Sequence, residues 1–323
     1  MWRRAARRIC DASCIARPFK ARRRSDGEPF MNAALQGHTA SENTPSQPAA
    51  QHTPEALLQV RGVSLEYRTP ERVVRATHQV SFEVDPADRF VLLGPSGCGK
   101  STLLKAVAGF IRPSEGEIRL AGNQVREPGP DRIVVFQEFD QLPPWKTVIE
   151  NVMFPLLASR TLKRPEALER ARYYLEKVGL SAFADAYPHT LSGGMKARVA
   201  IARALAMQPK ILLMDEPFAA LDALTRRKMQ EELLELWDEV RFTLLFVTHS
   251  IEEALVVGNR ILLLSPHPGR VRAEINSHQY DLKSLGGVGF QQTAQRIHRL
   301  LFDEGEAGQV DEELNFQDIR IAY

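Results

Sequence analysis

The chain has 323 residues, of which 44% are hydrophobic and 25% charged, and its formal net charge is +2. This composition allows a large core, and the length allows two domains or one domain with a sizeable sub-lobe. No uncharged stretch reaches the ~18 apolar residues that a membrane-spanning helix requires, which excludes a channel and predicts a soluble, intracellular mixed α/β protein. The three cysteines, Cys10, Cys14 and Cys98, are too few and too scattered for a disulfide framework, which suits a reducing cytosol.

Residues 1–54 differ in composition from the rest of the chain. Residues 1–30 hold nine basic and three acidic side chains, and residues 31–54 are rich in Ala, Gln, Ser, Thr and Pro without an apolar period. We therefore predict a disordered N-terminal extension. Three interpretations of its basic head stay open. The first is a solvated tail or a start assigned too far upstream, with Met31 as the real start. The second is a contact with anionic lipid or nucleic acid, and the third is an organelle transit peptide.

A glycine-rich loop follows the apolar run at residues 90–93 and opens a helix near Lys100. The loop residues are Gly94, Pro95, Ser96, Gly97, Cys98, Gly99, Lys100, Ser101 and Thr102. This GxxxxGK[ST] pattern between a strand and a helix predicts a loop that wraps a polyphosphate with its backbone N–H groups. Lys100 then supplies charge to the terminal phosphates, and the Ser101 hydroxyl supplies a ligand to Mg²⁺. Around this loop, residues 57–120 alternate strand-like runs with turns, which predicts an antiparallel edge sheet around the loop's strand.

A mainly helical region is predicted at residues 143–207, including an amphipathic helix at residues 164–178. Near its end, the sequence Leu191-Ser192-Gly193-Gly194-Met195 precedes a helical run at residues 196–207. Ser192, together with the amides of Gly193 and Gly194 at a helix N-terminus, can bind an anion.

Two further apolar runs end in chemically active side chains. Residues 211–214 lead into Asp215 and Glu216, as a buried parallel strand that delivers carboxylates to the edge of a sheet does. Asp215 is placed to hold Mg²⁺ through water, and Glu216 to polarise the water that attacks the γ-phosphate. Residues 243–247 form a strand-like run before His249. Residues 273–323 are predicted to be a short tail that contains a helix around residues 290–302.

These motifs, in this order, resemble the ATP-binding subunits of ABC transporters over residues 57–272. The resemblance implies an α/β fold: a P-loop NTPase (RecA-like) core with an antiparallel β edge subdomain and an α-helical signature subdomain. We expect the ATP-binding domain to span residues 55–272, with the helical subdomain at about residues 141–207. Lys100, Glu216 and His249 would be catalytic, and the cofactors would be ATP and Mg²⁺.

The resemblance also assigns roles that the residues alone do not show. Gln137 matches the glutamine that reaches Mg²⁺ and senses the membrane partner, and Asp222 lies in the loop that crosses a dimer interface. His249 matches the histidine that contacts the γ-phosphate. Tyr67 matches the aromatic residue that stacks on adenine, although a strand tyrosine packed on the sheet fits its position too. The Ser192 loop would cap the γ-phosphate held by the opposite subunit.

Within the family, the chain is similar to importer subunits for nitrate, taurine and aliphatic sulfonates, through Met195 and residues 218–222 and 265–271. The expected partners are a second copy or a paralogue, integral membrane permeases and a solute-binding protein, at the cytoplasmic face of the inner membrane, with no nucleic acid. An exporter ATPase and a soluble ABC ATPase of DNA repair or translation are the alternatives. The 91 positions from Lys100 to Leu191 leave room for a helical sub-lobe but not for the long coiled coil of the soluble type. A pseudo-ATPase is disfavoured because the lysine, both acids and the histidine are present.

Overall fold

The computed structural model describes residues 56–68, 73–136, 141–302 and 319–321. The predicted disordered extension and Gln137 lie outside these residues. The strands are β1 (Leu58–Arg68), β2 (Val73–Val84), β3 (Arg89–Leu93), β4 (Glu115–Leu120), β5 (Asn123–Gln124), β6 (Arg132–Val135), β7 (Ile211–Asp215), β8 (Thr243–Thr248), β9 (Arg260–Leu264), β10 (Val271–Asn276) and β11 (Ile319–Ile321). The helices are α1 (Lys100–Val107), α2 (Val148–Ala158), α3 (Arg164–Lys177), α4 (Gly193–Ala206), α5 (Ala223–Val240), α6 (Ile251–Val257) and α7 (Val288–Phe302).

The central element is a seven-stranded sheet in the order β11-β10-β9-β3-β8-β7-β6. The five strands from β9 to β6 are mutually parallel, and β10 and β11 add an antiparallel edge. Parallel strands present their carboxyl ends at one edge of the sheet, where ligands bind in open α/β folds. The loop after β3, the acids after β7 and the histidine after β8 therefore meet at that edge.

The apolar runs of the central strands alternate between two cores. In β3, Phe90 and Leu92 face a core shared with the antiparallel sheet and α1, whereas Val91 and Leu93 face a core shared with the helices. All four are fully buried. Successive side chains on a strand point to opposite faces, so a strand covered on both faces is continuously apolar.

The second sheet is antiparallel, in the order β2-β1-β4-β5. We expected this sheet to surround the strand of the phosphate loop, and that expectation is wrong. β3 pairs with β8 and β9 in the central sheet, and the antiparallel sheet covers one face of it. The sequence does not distinguish the two arrangements, because strand pairing depends on residues that lie far apart along the chain.

Helices α2, α3 and α4 form a helical sub-lobe whose starts are capped by local side chains. At α2, Thr147 and Glu150 form a reciprocal capping box. At α4, the Ser192 hydroxyl accepts a hydrogen bond from Met195 N at 3.3 Å, so this helix begins three residues earlier than the run at residues 196–207 suggested. Within the described part of the chain, none of the helices has the length and hydrophobicity needed to cross a membrane.

The C-terminal region is continuous with the main fold. β10 crosses the expected domain boundary at residue 272 and pairs with both β9 and β11. The helix expected around residues 290–302 is α7, and it buries Phe290, Ile297 and Leu301 in the core that the helices share. Residues 273–302 therefore extend the sheet and its core.

Candidate nucleotide-binding site

The phosphate loop is held from behind by two backbone segments. Gly99 has a φ of +95°, and a Cβ there would lie 2.7 Å from Ala76 O and 2.7 Å from the Thr77 methyl group. Gly269 packs directly on the Cys98 carbonyl, and its N–H donates to Ala76 O at 2.9 Å. These contacts fix the backbone of the loop, as a pre-organised phosphate cradle requires.

Lys100 is buried at the centre of the loop, with 5% of its surface exposed. Its ammonium donates to Gly94 O at 2.8 Å and to Pro95 O at 3.0 Å. The neighbouring Cys98 thiol is fully buried, and this burial raises its pKa, so the thiol stays protonated at neutral pH. The lysine ammonium is therefore the charged side chain inside the loop.

Ser101 and Asp215 join the loop to the end of β7. The Ser101 hydroxyl donates to Asp215 Oδ1 at 2.7 Å. Burial raises the pKa of Asp215, and repulsion from Glu216 adds to the shift, while the Ser101 hydrogen bond opposes it. A divalent cation would stabilise the charged form of Asp215, which burial disfavours. A hydroxyl beside a carboxylate is also an oxygen donor set that Mg²⁺ accepts. The two residues therefore fit a magnesium site.

Glu216 and His249 face each other across the ends of β7 and β8. His249 Nδ1 lies 3.1 Å from Glu216 Oε2, and the imidazole is half exposed. The Glu216 backbone has a φ of +47°, and its N–H donates to Val247 O at 3.0 Å. A left-handed backbone is costly for a residue with a Cβ, and such strain concentrates at functional sites. It turns Glu216 away from the line of the strand and toward the histidine.

Tyr67 lies at the end of β1, beside the phosphate loop. Its hydroxyl is 2.9 Å from the Thr102 hydroxyl, and 42% of the residue is exposed. The structure thus places a partly exposed aromatic residue beside the loop.

The signature loop of Ser192, Gly193 and Gly194 lies apart from this cluster. Ser192 and Gly193 are exposed at the start of α4, and no hydrogen bond among the described residues joins them to the phosphate loop. Asp222 caps α5 by accepting from Thr225 N at 3.0 Å, and the Thr225 contacts lower its pKa. A Cβ on Gly194 would lie 3.2 Å from the Thr225 methyl group, so the starts of α4 and α5 pack together.

A buried polar cluster behind His249 was missed from the sequence. Glu253 on α6 is only 8% exposed and contacts the Thr248 hydroxyl and Gln230. The sequence Ser250-Ile251-Glu252-Glu253 gives a signal, because Ser-x-x-Glu predicts a capping box at the start of a helix. In a capping box the glutamate side chain accepts a hydrogen bond from the serine N–H at the protein surface. The pattern therefore predicts the helix start but not the burial of Glu253.

A glycine-rich phosphate loop between a strand and a helix, with acids at the end of a neighbouring parallel strand, defines a P-loop nucleoside triphosphatase. A family model described as ABC transporter matches residues 77–219. A taurine import ATP-binding protein of Rhizobium johnstonii is 54% identical over 205 residues, which are 64% of this chain and 78% of that protein. A nitrate import ATP-binding protein of Synechococcus elongatus is 41% identical over 252 residues, which are 78% of this chain and 88% of that protein.

Solved structures agree with this class. The dimeric post-hydrolysis state of an ATP-binding cassette, bound to ADP and Pi, matches with a TM-score of 0.59 and 33% identity, and the match covers 68% of this chain and 98% of that one. The chain belongs to the ABC transporter family and carries its ATP-binding cassette. The resemblance stated from the sequence motifs is confirmed.

The packing of the loop predicts different costs for two glycine substitutions. Gly97 and Gly99 both have positive φ, but a Cβ on Gly97 meets open space. Gly97→Ala should lower the free energy of unfolding by about 1–2 kcal/mol, because only the backbone conformation becomes strained. Gly99→Ala should lower it by about 1–3 kcal/mol more, because its methyl group also overpacks against Ala76 and Thr77. Urea unfolding without nucleotide measures the free energy of unfolding of both variants. Equal decreases would contradict the close packing of the loop on Ala76 and Thr77.

Proposed function

We propose that this protein is the ATP-hydrolysing subunit of an ABC importer that drives a small solute, of the nitrate, taurine or sulfonate type, through separate membrane permeases. The observation that carries the proposal is the convergence of Lys100, the Ser101–Asp215 pair and the Glu216–His249 pair at one edge of the sheet. The relatives named above are import proteins, which favours import over export and over a soluble ABC ATPase.

The triphosphate of ATP would lie in the phosphate loop, where backbone N–H groups and the Lys100 ammonium surround it. For this, the ammonium must exchange its bonds to Gly94 O and Pro95 O for phosphate oxygens. Ser101, Asp215 and Gln137 would hold Mg²⁺, which supplies charge neutralisation for the transferring phosphoryl group. The accessible ring of Tyr67 would stack on adenine.

Glu216 is suited to accept the proton of the attacking water. Its carboxylate is partly exposed at the sheet edge and points toward His249, 3.1 Å away. His249 would orient the carboxylate and contact the γ-phosphate, with its half-exposed imidazole facing the nucleotide. Catalysis then consists of positioning and charge neutralisation.

The second half of the nucleotide site would come from another subunit. Ser192 and Gly193 present a helix N-terminus to solvent, and Leu224 at the start of α5 is 83% exposed. An exposed anion-binding helix start beside an exposed leucine is suited to a dimer interface that closes on the partner's γ-phosphate. ATP binding would thus close the dimer, and hydrolysis would open it.

The helical sub-lobe is suited to contact the permeases. Exposed large apolar side chains are frequent there: Trp145, Phe154, Leu157, Tyr173, Phe183 and Tyr187. We infer that some of these side chains contact a protein partner, because contiguous apolar patches mark interaction sites, whereas singly exposed apolar residues are ordinary. A solute-binding protein would deliver the solute from the opposite side, and this subunit would work at the cytoplasmic face of the inner membrane.

Glu216→Gln should leave ATP binding intact and reduce hydrolysis at least about 100-fold, because the amide keeps the size of the side chain but accepts no proton. Light scattering with ATP and Mg²⁺ should then show an accumulated dimer. Hydrolysis at the wild-type rate would refute the role of Glu216.

Ser192→Arg and Lys100→Ala should separate the two halves of the site. The arginine blocks the exposed start of α4, so dimerisation and turnover fail while each monomer still binds nucleotide. The alanine removes the charge in the loop, so affinity itself falls by about tenfold or more. Titration with a fluorescent ATP analogue measures both, and equal losses of affinity would show that the signature does not act on the partner's nucleotide.

The combined substitution Phe154→Asp and Tyr173→Asp should weaken co-purification with the permeases about tenfold, because it places two charges on the apolar surface of the sub-lobe. The control is Phe302→Asp on α7, which is also half exposed but lies outside the sub-lobe. Thermal melting verifies that both variants fold. Unchanged co-purification of the double variant would place the permease contact elsewhere.

A further inference from the structure

Glu253 is a buried carboxylate that the mechanism above does not use. It lies in the first turn of α6, and its backbone N–H donates to the Ser250 hydroxyl at 3.3 Å. In an ordinary capping box its side chain would bond to Ser250 N. That N–H instead donates to the Thr248 hydroxyl at 3.1 Å. The carboxylate is free of its capping role and points into the protein.

Thr248 connects this carboxylate to the turn that carries His249. Its hydroxyl accepts from Ser250 N and donates to Glu253 Oε2. Thr248 is thus bonded directly to the carboxylate, and Ser250 is linked to it through the Thr248 hydroxyl. A hydroxyl whose two partners are both in place has a single orientation. The imidazole projects from the middle of this turn toward Glu216.

The other carboxylate oxygen contacts α5. Gln230 Nε2 donates to Glu253 Oε1 at 3.1 Å. One turn earlier on the same helix, Arg226 donates to Leu221 O at 2.9 Å and to Phe218 O at 3.3 Å. The helix that holds the loop at residues 218–222 therefore also holds Glu253.

Burial raises the pKa of Glu253, and the bonds from Thr248 and Gln230 oppose that shift, as do the charges of Arg226 and His249. A buried carboxylate costs stability unless its partners are in place, and an apolar side chain would fill the same space at lower cost. The arrangement is therefore better explained by what it positions than by stability.

We propose that Glu253 is a positioning residue for His249, acting through Thr248 and Ser250 and anchored to α5 through Gln230. The carboxylate holds the turn so that the imidazole stays in contact with Glu216. This inference rests on the proposed ATPase function, because its effect appears in the hydrolysis step.

The test compares Thr248→Val with Thr248→Ser in the full-length protein, together with Glu253→Leu. The valine keeps the shape of threonine but removes the hydroxyl, and the serine keeps the hydroxyl. We expect Thr248→Val and Glu253→Leu to lower kcat about tenfold or more, with affinity for a fluorescent ATP analogue within about threefold of wild type. Thr248→Ser should keep at least about half of the wild-type kcat.

A His249→Ala background separates positioning from a general structural effect. If Glu253 acts through the imidazole, Glu253→Leu should change the residual single-turnover rate of His249→Ala less than about twofold. The same loss in both backgrounds, or wild-type kcat in both Glu253→Leu and Thr248→Val, would overturn the proposal. If Glu253→Leu does not fold, the comparison of Thr248→Val with Thr248→Ser still tests the proposal. A wild-type protein without ATPase activity would instead refute the proposed function itself.

Discussion

The register of three parallel strands is the constraint on which the site depends. Leu93 of β3 pairs with Thr248 of β8, and Asp215 of β7 pairs with Val247. The phosphate loop and His249 therefore begin one residue beyond the same paired position, and Glu216 leaves its strand beside them. A slip of one residue in β8 would turn its side chains to the opposite face and carry the histidine away from the acids. Burial of β8 on both faces opposes such a slip, because Leu244 and Phe246 pack in one core and Leu245 and Val247 pack in the other.

The rigid sheet also supports backbone conformations that would not persist alone. Gly99 has a φ of +95° at the start of α1, and Glu216 has a φ of +47° after β7. For Gly99 the conformation costs little, because glycine has no Cβ. For Glu216 it costs on the order of 1–3 kcal/mol, which the surrounding hydrogen bonds and packing must offset. The strain and the reactive carboxylate therefore occur at the same residue.

Much of the site could be predicted because its motifs combine local backbone chemistry with a polar residue at the end of an apolar run. The phosphate loop, Asp215, Glu216 and His249 are of this kind, and the structure places them together. Pairing between distant segments could not be predicted in this way. Neither the sheet to which β3 belongs nor the continuation of β10 past residue 272 leaves a local pattern.

Glu253 shows a different limit of prediction from sequence. Its spacing from Ser250 matches a solvent-exposed capping box, and only the competing hydroxyl of Thr248 diverts it inward. That competition depends on three-dimensional contacts with α5. A local pattern can therefore give the correct helix start and the wrong environment for one of its residues.

The two outermost strands of the central sheet have a consequence for solubility. β6 has 4 residues and β11 has 3, while β9, β3, β8 and β7 between them are mostly apolar. An outer strand offers unpaired backbone groups to any other chain, and short outer strands limit the length of such pairing. Among the described residues, β11 is the outermost strand at the end of the sheet beyond β10. In the central sheet, the short described outer strands thus limit edge-to-edge association with another chain.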